Sequence, residues 1–541
     1  MKISLQKALS LFLTGSLSSP ETTNSSERSN TLADEELAEM EMTRTEWDNL
    51  TKNSFKFKDS TLAQQADWDT LTGYIRNAEL SMFDSLFSGI GAGFAKSLSF
   101  ISGLGLASLS IALSTFSTIK KTPYLSTNFS FSNFGGRLVR AKLRFLDSIF
   151  SSVGEKGASL KTPSLLAGLV SLLSLNRVMQ GKDDKSIEMP YATIGGTLGR
   201  TAIHHMESML ASKANELSSE KPSLAAFLAS TITTLGLLAP KEVKGKKVPV
   251  ETLEGLLSLV GPHFLDSLFT NIGNIFSPII NKPKNLLLSI IGFSSSLPIL
   301  ASIPKFWNHK ASVPELEGKL IRSAFGTLDT IAFNSGNSVG NSKAGIPTAF
   351  GFLGLTYLAC VSKQGEKALK NFKIPMNTVG SLFQRLPFDF IYSLISTAGN
   401  RLSKLIPAPL LVLLGPSISF KLSEQFKGIN AKYDNCKGLM IRNAVHLWET
   451  ILASAAYRTG KMISGNKEDS NTSGSLLGER WITDDGQIVL NMAIGKQIKQ
   501  EKEKNILPIV ISALGGIAFA KYISLPKNVF VNKREEQWQL N

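Results

Sequence analysis

The stretch from Gly136 to Leu175, GRLVRAKLRFLDSIFSSVGEKGASLKTPSLLAGLVSLLSL, decides the fold, because its pattern returns at intervals of about 60 residues. Counting its first glycine as position zero, an acid stands at position eleven and a Ser or Thr at position twelve. The equivalent glycines are Gly73, Gly136, Gly196, Gly255, Gly318, Gly380 and Gly438. The acid column reads Asp84, Asp147, Glu207, Asp266 and Asp329, has a misfit near Tyr392, and resumes at Glu449. The hydroxyl column reads Ser85, Ser148, Ser208, Ser267, Thr330, Ser393 and Thr450, with one extra residue before Ser393. Such recurrence marks an array of one supersecondary unit, each copy burying its apolar surface against its neighbours.

Each unit divides into two helical segments. In the first, positions zero, four, eight and eleven fall on one face at 100° per residue, while positions ten and thirteen lie away from it and are largely apolar. The polar face carries Arg140, Arg200, Arg322 and Arg442 at position four, and His204, His263 and His446 near position eight. The second segment starts near a proline suited to a first helical turn, as at Pro163, Pro222, Pro283 and Pro508, and then runs apolar on all sides. Uncharged runs such as Ser97 to Ile119 and Asn505 to Ala520 approach the ~20 residues that span a bilayer. The sequence therefore predicts an all-α protein of seven tandem two-helix repeats, arranged as a solenoid, a closed toroid or a membrane bundle.

Linkers after the apolar segments are rich in lysine, for example Lys241, Lys244, Lys246 and Lys247, and all lie at one end of the hairpins. A basic belt at one end suits an anionic lipid surface. The formal net charge of +15 and a charged fraction of 19%, below the soluble norm of about 25%, fit that surface. They fit nucleic acid less well, because the linker lysines have few aromatics among them. The two cysteines, Cys360 and Cys436, exclude a disulfide framework and a zinc cluster.

Residues 1–70 read as a leader that makes a poor secretory signal, an acidic helical run at Asp34 to Met42, and a segment with two Trp-Asp pairs. Residues 71–531 hold the seven repeats, and 532–541 form a polar tail. The last repeat carries an insertion over 465–504, in which Asp484-Asp485-Gly486 between short apolar runs predicts a small hairpin.

The His204 and Glu207, His263 and Asp266, and His446 and Glu449 pairs have a spacing that lets imidazole and carboxylate converge on a metal. Other copies place Arg144, Gly326 and Phe388 in that column, a poor ligand set, so no metal, cofactor or catalytic residue is assigned. Within one copy the Arg and the acid stand seven residues apart, ~10 Å along a helix, so each acid is expected to pair with an Arg of an adjacent copy. The resulting expectation is a non-enzymatic, membrane-associated repeat protein with a structural or scaffolding role. The alternatives are a soluble α-solenoid or toroid that binds a protein partner, and a transporter-like pore lined by the acid column.

Overall fold

The computed structural model describes residues 69–120, 134–181, 187–280, 308–362, 365, 367, 369, 372–375, 377–465, 480–482, 488–490 and 506–524. The leader, the acidic run, the Trp47 pair, the apolar stretch from Pro283 to Pro304, the Asp484 to Gly486 turn and the tail lie outside the described residues. Among those described the chain is all-α apart from one two-stranded pair.

Seven helices are long: α1 (Leu71–Ala95), α3 (Phe134–Ala158), α5 (Ile194–Glu220), α8 (Leu253–Ile280), α9 (Leu316–Asn341), α11 (Val379–Ser403) and α13 (Cys436–Ile463). Between them stand α2 (Phe100–Lys120), α4 (Lys161–Met179), α6 (Pro222–Leu238), the single turn α7 (Lys241–Lys244), α10 (Gly345–Val361) and α12 (Ala408–Gln425). After α13 come strands β1 (Arg480–Ile482) and β2 (Ile488–Leu490), antiparallel with Trp481 opposite Val489, and then α14 (Leu507–Ser524).

Most long helices begin two residues before the glycine, and in four of them the polar residue just ahead caps the first turn. Thr70, Thr193, Thr252 and Asn435 accept from the amides of Gly73, Gly196, Gly255 and Gly438 at 2.7 to 3.1 Å. The glycine itself answers to a close approach. The chain entering the helix folds back over the first turn, so a Cβ at Gly196, Gly255, Gly318 or Gly438 would run into the carbonyl six residues earlier.

Each long helix packs on the next one in chain order, and α13 packs on α1. One joint recurs beside these contacts: the extended residues ahead of one long helix form an antiparallel bridge with the cap residue of the next. The bridges are Glu188 with Thr252, Lys247 with Glu315, Lys310 with Thr378, Lys373 with Asn435, and Asn430 with Thr70. Two backbone hydrogen bonds close each, as in Ile374 N–H to Asp434 C=O and Cys436 N–H to Phe372 C=O.

The hydroxyl column marks where helix backbones come closest. A Cβ on Gly91, Gly154, Gly273, Gly336 or Gly399, seven residues past the acid or past Tyr392, would sit 2.8 to 3.1 Å from the Cβ of Ser148, Ser208, Thr330, Ser393 or Thr450 of the following helix. Small residues meeting small residues let the backbones approach, and alanines Ala214 and Ala456 fill the two other copies of that column, both fully buried. Ser267, Thr330 and Ser393 further satisfy their hydroxyls on helix carbonyls of His263, Gly326 and Phe333.

The apolar helices lie on the long ones, each reaching the long helices of following units: α2 touches α3 and α5, and α12 touches α13 and α1. Their other side is open. Ile101, Leu165 and Leu413 are 79%, 74% and 74% exposed. Helix α14 departs from this arrangement and packs on α6, with Phe227 and Phe519 rings 5.7 Å apart and Thr231 donating to Gly516 C=O at 3.2 Å. Thr162–Met179 and Leu507–Ser524 are long and apolar enough to cross a membrane; a bent pair, α11 with α12 at 118°, would make a third span.

Adding a methyl group at the close contact and in the open separates packing from helix propensity. Gly336→Ala is expected to lower stability by about 1–3 kcal/mol because its Cβ meets Phe390 C=O and Ser393. Gly351→Ala, with nothing within 4 Å, should leave stability unchanged or raise it by up to ~1 kcal/mol. Thermal unfolding of the two variants checks the contrast.

Candidate functional site

One rule organises the polar face. Position eleven of each long helix meets position eight of the next, and this contact recurs at all seven junctions of the long helices. Asp84 lies 3.8 Å from Arg144, which also holds Asp147 at 2.9 Å. Asp147 in turn bonds His204, and Glu207 lies 3.2 Å from His263. Asp266 faces Gly326, whose added Cβ would stand 3.3 Å from the carboxylate. Asp329 shares a hydrogen bond with Asp389. Tyr392 stacks on His446 with ring centroids 3.7 Å apart. Glu449 accepts from Ser81 of α1, returning the belt to its start.

The sixth unit is the exception that the rule explains. With its extra residue, Asp389 takes the place of position eight and Tyr392 that of position eleven, so acid and ring have exchanged columns. Two carboxyls then meet, and a hydrogen bond between them requires one proton to be shared.

The expected pairing of each acid with a neighbouring Arg holds for Asp84 with Arg144 and otherwise needs correction. The partner of the acid column is position eight, one helical turn away in height, whereas the Arg at position four lies two turns nearer the joints. There it meets backbone carbonyls that no helix satisfies. Arg200 donates to Met189 and Val250 C=O, Arg322 to Ala311 C=O at 3.0 Å, and Arg442 to Ala431 C=O at 2.7 Å. In Arg200 to Met189, Arg322 to Ala311, Arg442 to Ala431 and Arg385 to Ile374 the carbonyl lies eleven residues before the arginine. Tyrosines cover the guanidinium groups: Tyr191 lies 5.5 Å from Arg140 and 4.1 Å from Arg200, and Tyr74 lies 4.9 Å from Arg442. Arg442 also stands 3.5 Å from Asp69. Of the remaining hydroxyls, Ser85 is partly exposed on α1 and Thr450 lies 3.2 Å from His446 Nε2.

Reading the sequence for acids missed a second column. Asn215, Asn274 and Asn337 stand at position nineteen, with Asn400 one later, and each accepts from the following helix. The donors are Asn271 to Asn215 C=O, Asn334 to Asn274 Oδ1, Thr397 to Asn337 Oδ1 and Ser454 to Asn400 Oδ1. A four-copy recurrence of one amide was the available signal. Arg385, Asp389 and Tyr392 were hidden by the one-residue shift.

The most buried part of the belt joins Ser396, His446 and Glu449. Ser396 Oγ lies 2.6 Å from His446 Nε2, and His446 Nδ1 lies 2.9 Å from Glu449, with His446 and Glu449 side chains 0% and 1% exposed. The order is that of a nucleophile, base and acid. Ser396, however, stands inside α11, where backbone N–H groups are committed to the helix and no pair of them can face an oxyanion. Among the described residues no three His, Cys, Asp or Glu side chains converge as a metal-binding group.

Comparison with known proteins finds no matching family, no matching curated protein and no matching solved structure.

Asp266, on a helix outside the candidate spans, is pushed up to about 7 by burial, with Asp329 adding to the shift and His263 opposing it. Burial likewise holds Asp329 above the usual carboxylate range against the pull of its bond to Asp389 and of Arg322 and Arg385. A carboxyl with a raised folded pKa favours the fold while protonated, so that contribution is full at low pH and is lost as pH rises from about 4 towards 7. Stability is therefore expected to fall between pH 5 and pH 8. Asp266→Asn, which cannot ionise, should flatten this slope and raise the pH 8 midpoint above that of the unmodified chain, as read by thermal unfolding at both pH values.

Proposed function

We propose that this chain is a non-enzymatic, membrane-associated scaffold in which seven two-helix units close on one another as a toroid, with the apolar helices turned towards lipid. The observation that carries the reading is the outward display of large apolar side chains. In a water-soluble helical array the second helix of each unit would hide its leucines; here Ile101, Leu165, Leu172, Leu355, Leu413 and Leu514 are all more than half exposed. They lie on helices with two or three candidate spans among them. Closure is supported by the α13 to α1 packing and by the Asn430 to Thr70 bridge, which repeats the form of the four bridges between consecutive units. A basic rim supports attachment to an anionic leaflet, since Lys247, Lys310 and Lys373 all occupy the bridge position at the same end of the long helices.

The polar belt is read as the cement of the array. Polar side chains facing one another across six of the seven long-helix junctions satisfy groups that would otherwise be costly to bury, and at the seventh Asp266, facing Gly326, is held towards its neutral form by burial. This accounts for mixed chemistry in the column, because any pair able to satisfy itself will serve. A substrate site would hold its residue types more narrowly.

After expression, the full chain is expected in the membrane pellet and to stay there through carbonate extraction. Leu165→Asp and Leu413→Asp, both at water-exposed positions if the protein is soluble, should then reduce the retained fraction, because an acid within a membrane-embedded helix costs up to roughly 2.5–3.5 kcal/mol, less towards its ends. Recovery of the unmodified chain in the high-speed supernatant without detergent would defeat the membrane reading and favour the soluble toroid.

A further inference from the structure

Between α10 and α12, over the outward side of α13, lies a cleft of about 980 Å³. Its walls are apolar, chiefly Leu353, Leu422, Phe426, Val445, Trp448 and Ile451. At its basic end the lining includes Lys373 and Lys432, both exposed, alongside Asp434. Thr356 also lines it; the residue is 4% exposed and its hydroxyl has no hydrogen-bond partner.

These features specify an occupant. The floor runs along α13 from Lys437 to Ile451, about 21 Å of helix at ~1.5 Å per residue, which is the reach of a long acyl chain. An unmet buried hydroxyl is costly. A ligand that brings a carbonyl oxygen to Thr356, part way down an apolar body, removes that cost. The two exposed lysines ask for an anion, and they lie at the basic end of the array, where a lipid head group would be.

We propose that this cleft holds one anionic phospholipid drawn from the bilayer. Its head group sits at Lys373 and Lys432, an ester carbonyl accepts from Thr356, and an acyl chain lies against α13 between α10 and α12. The inference rests on the membrane reading but is tested apart from it, because binding is measured in detergent solution and membrane retention by sedimentation.

The test uses the full chain in a neutral detergent, titrated with tail-labelled phosphatidylglycerol and with phosphatidylcholine bearing the same tails. Phosphatidylglycerol is expected to bind one per chain, about tenfold or more tighter than phosphatidylcholine. Lys373→Glu combined with Lys432→Glu should bring the two lipids to within about twofold of each other. Val445→Trp, which fills the cleft, should weaken both. Should that variant fail to fold, Thr356→Val, of nearly equal volume, should still weaken both lipids while leaving the preference between them. Equal binding of the two lipids by the unmodified chain, or a tenfold preference that survives the lysine substitutions, would overturn the proposal. Displacement of the labelled lipid by an equal concentration of oleate would overturn the phospholipid assignment in favour of a single-chain amphiphile.

Discussion

The backbone bridge between the approach to one long helix and the cap of the next is the constraint on which the rest of the architecture depends. Two hydrogen bonds at each of the five bridges fix how far one unit is shifted against its neighbour. Once that height is fixed, position eleven can only face position eight, and the glycine past it can only face a hydroxyl residue. The arginine at position four closes the joint from inside by donating to its carbonyls, as Arg322 does to Ala311. Because the approach folds back on the first turn, the starting glycine cannot be replaced without moving that same joint.

Burial then dictates chemistry. A carboxylate among helices needs a donor or must keep its proton, and the belt contains both solutions. Asp147 has His204 and Arg144, whereas Asp266 faces Gly326 and is pushed up towards neutrality. The exchange of acid and ring in the sixth unit leaves each contact in place while changing its kind: Asp329 meets Asp389 and Tyr392 meets His446. What recurs from unit to unit is the contact of position eleven with position eight, whatever side chains make it.

Helical content was legible because hydrophobic period and spacing are properties of one chain segment. The partner of each acid was not, since the height of one helix against the next is set by the bridges between extended residues such as Lys373 and Asn435, and nothing local marks them. Arginine was the plausible partner by charge, but unsatisfied carbonyls near the caps claim it first. The Asn column at position nineteen was visible in principle and weaker in signal, as amides recur for many reasons. Packing of α14 on α6 could not have been read at all, because it depends on contacts between units far apart in the chain.

The proposed toroid turns on whether the seventh unit joins the first as the others join their successors. Thr70 and Asn430 form a bridge of the type whose Cα atoms lie about 4.5 Å apart, within disulfide reach. Thr70→Cys and Asn430→Cys, placed together in a chain with Cys360→Ser and Cys436→Ser, should form an intramolecular disulfide on mild oxidation, read as faster migration of the monomer in non-reducing electrophoresis. Absence of any bridge, or bridges found only between chains as dimers, would contradict closure and leave an open solenoid.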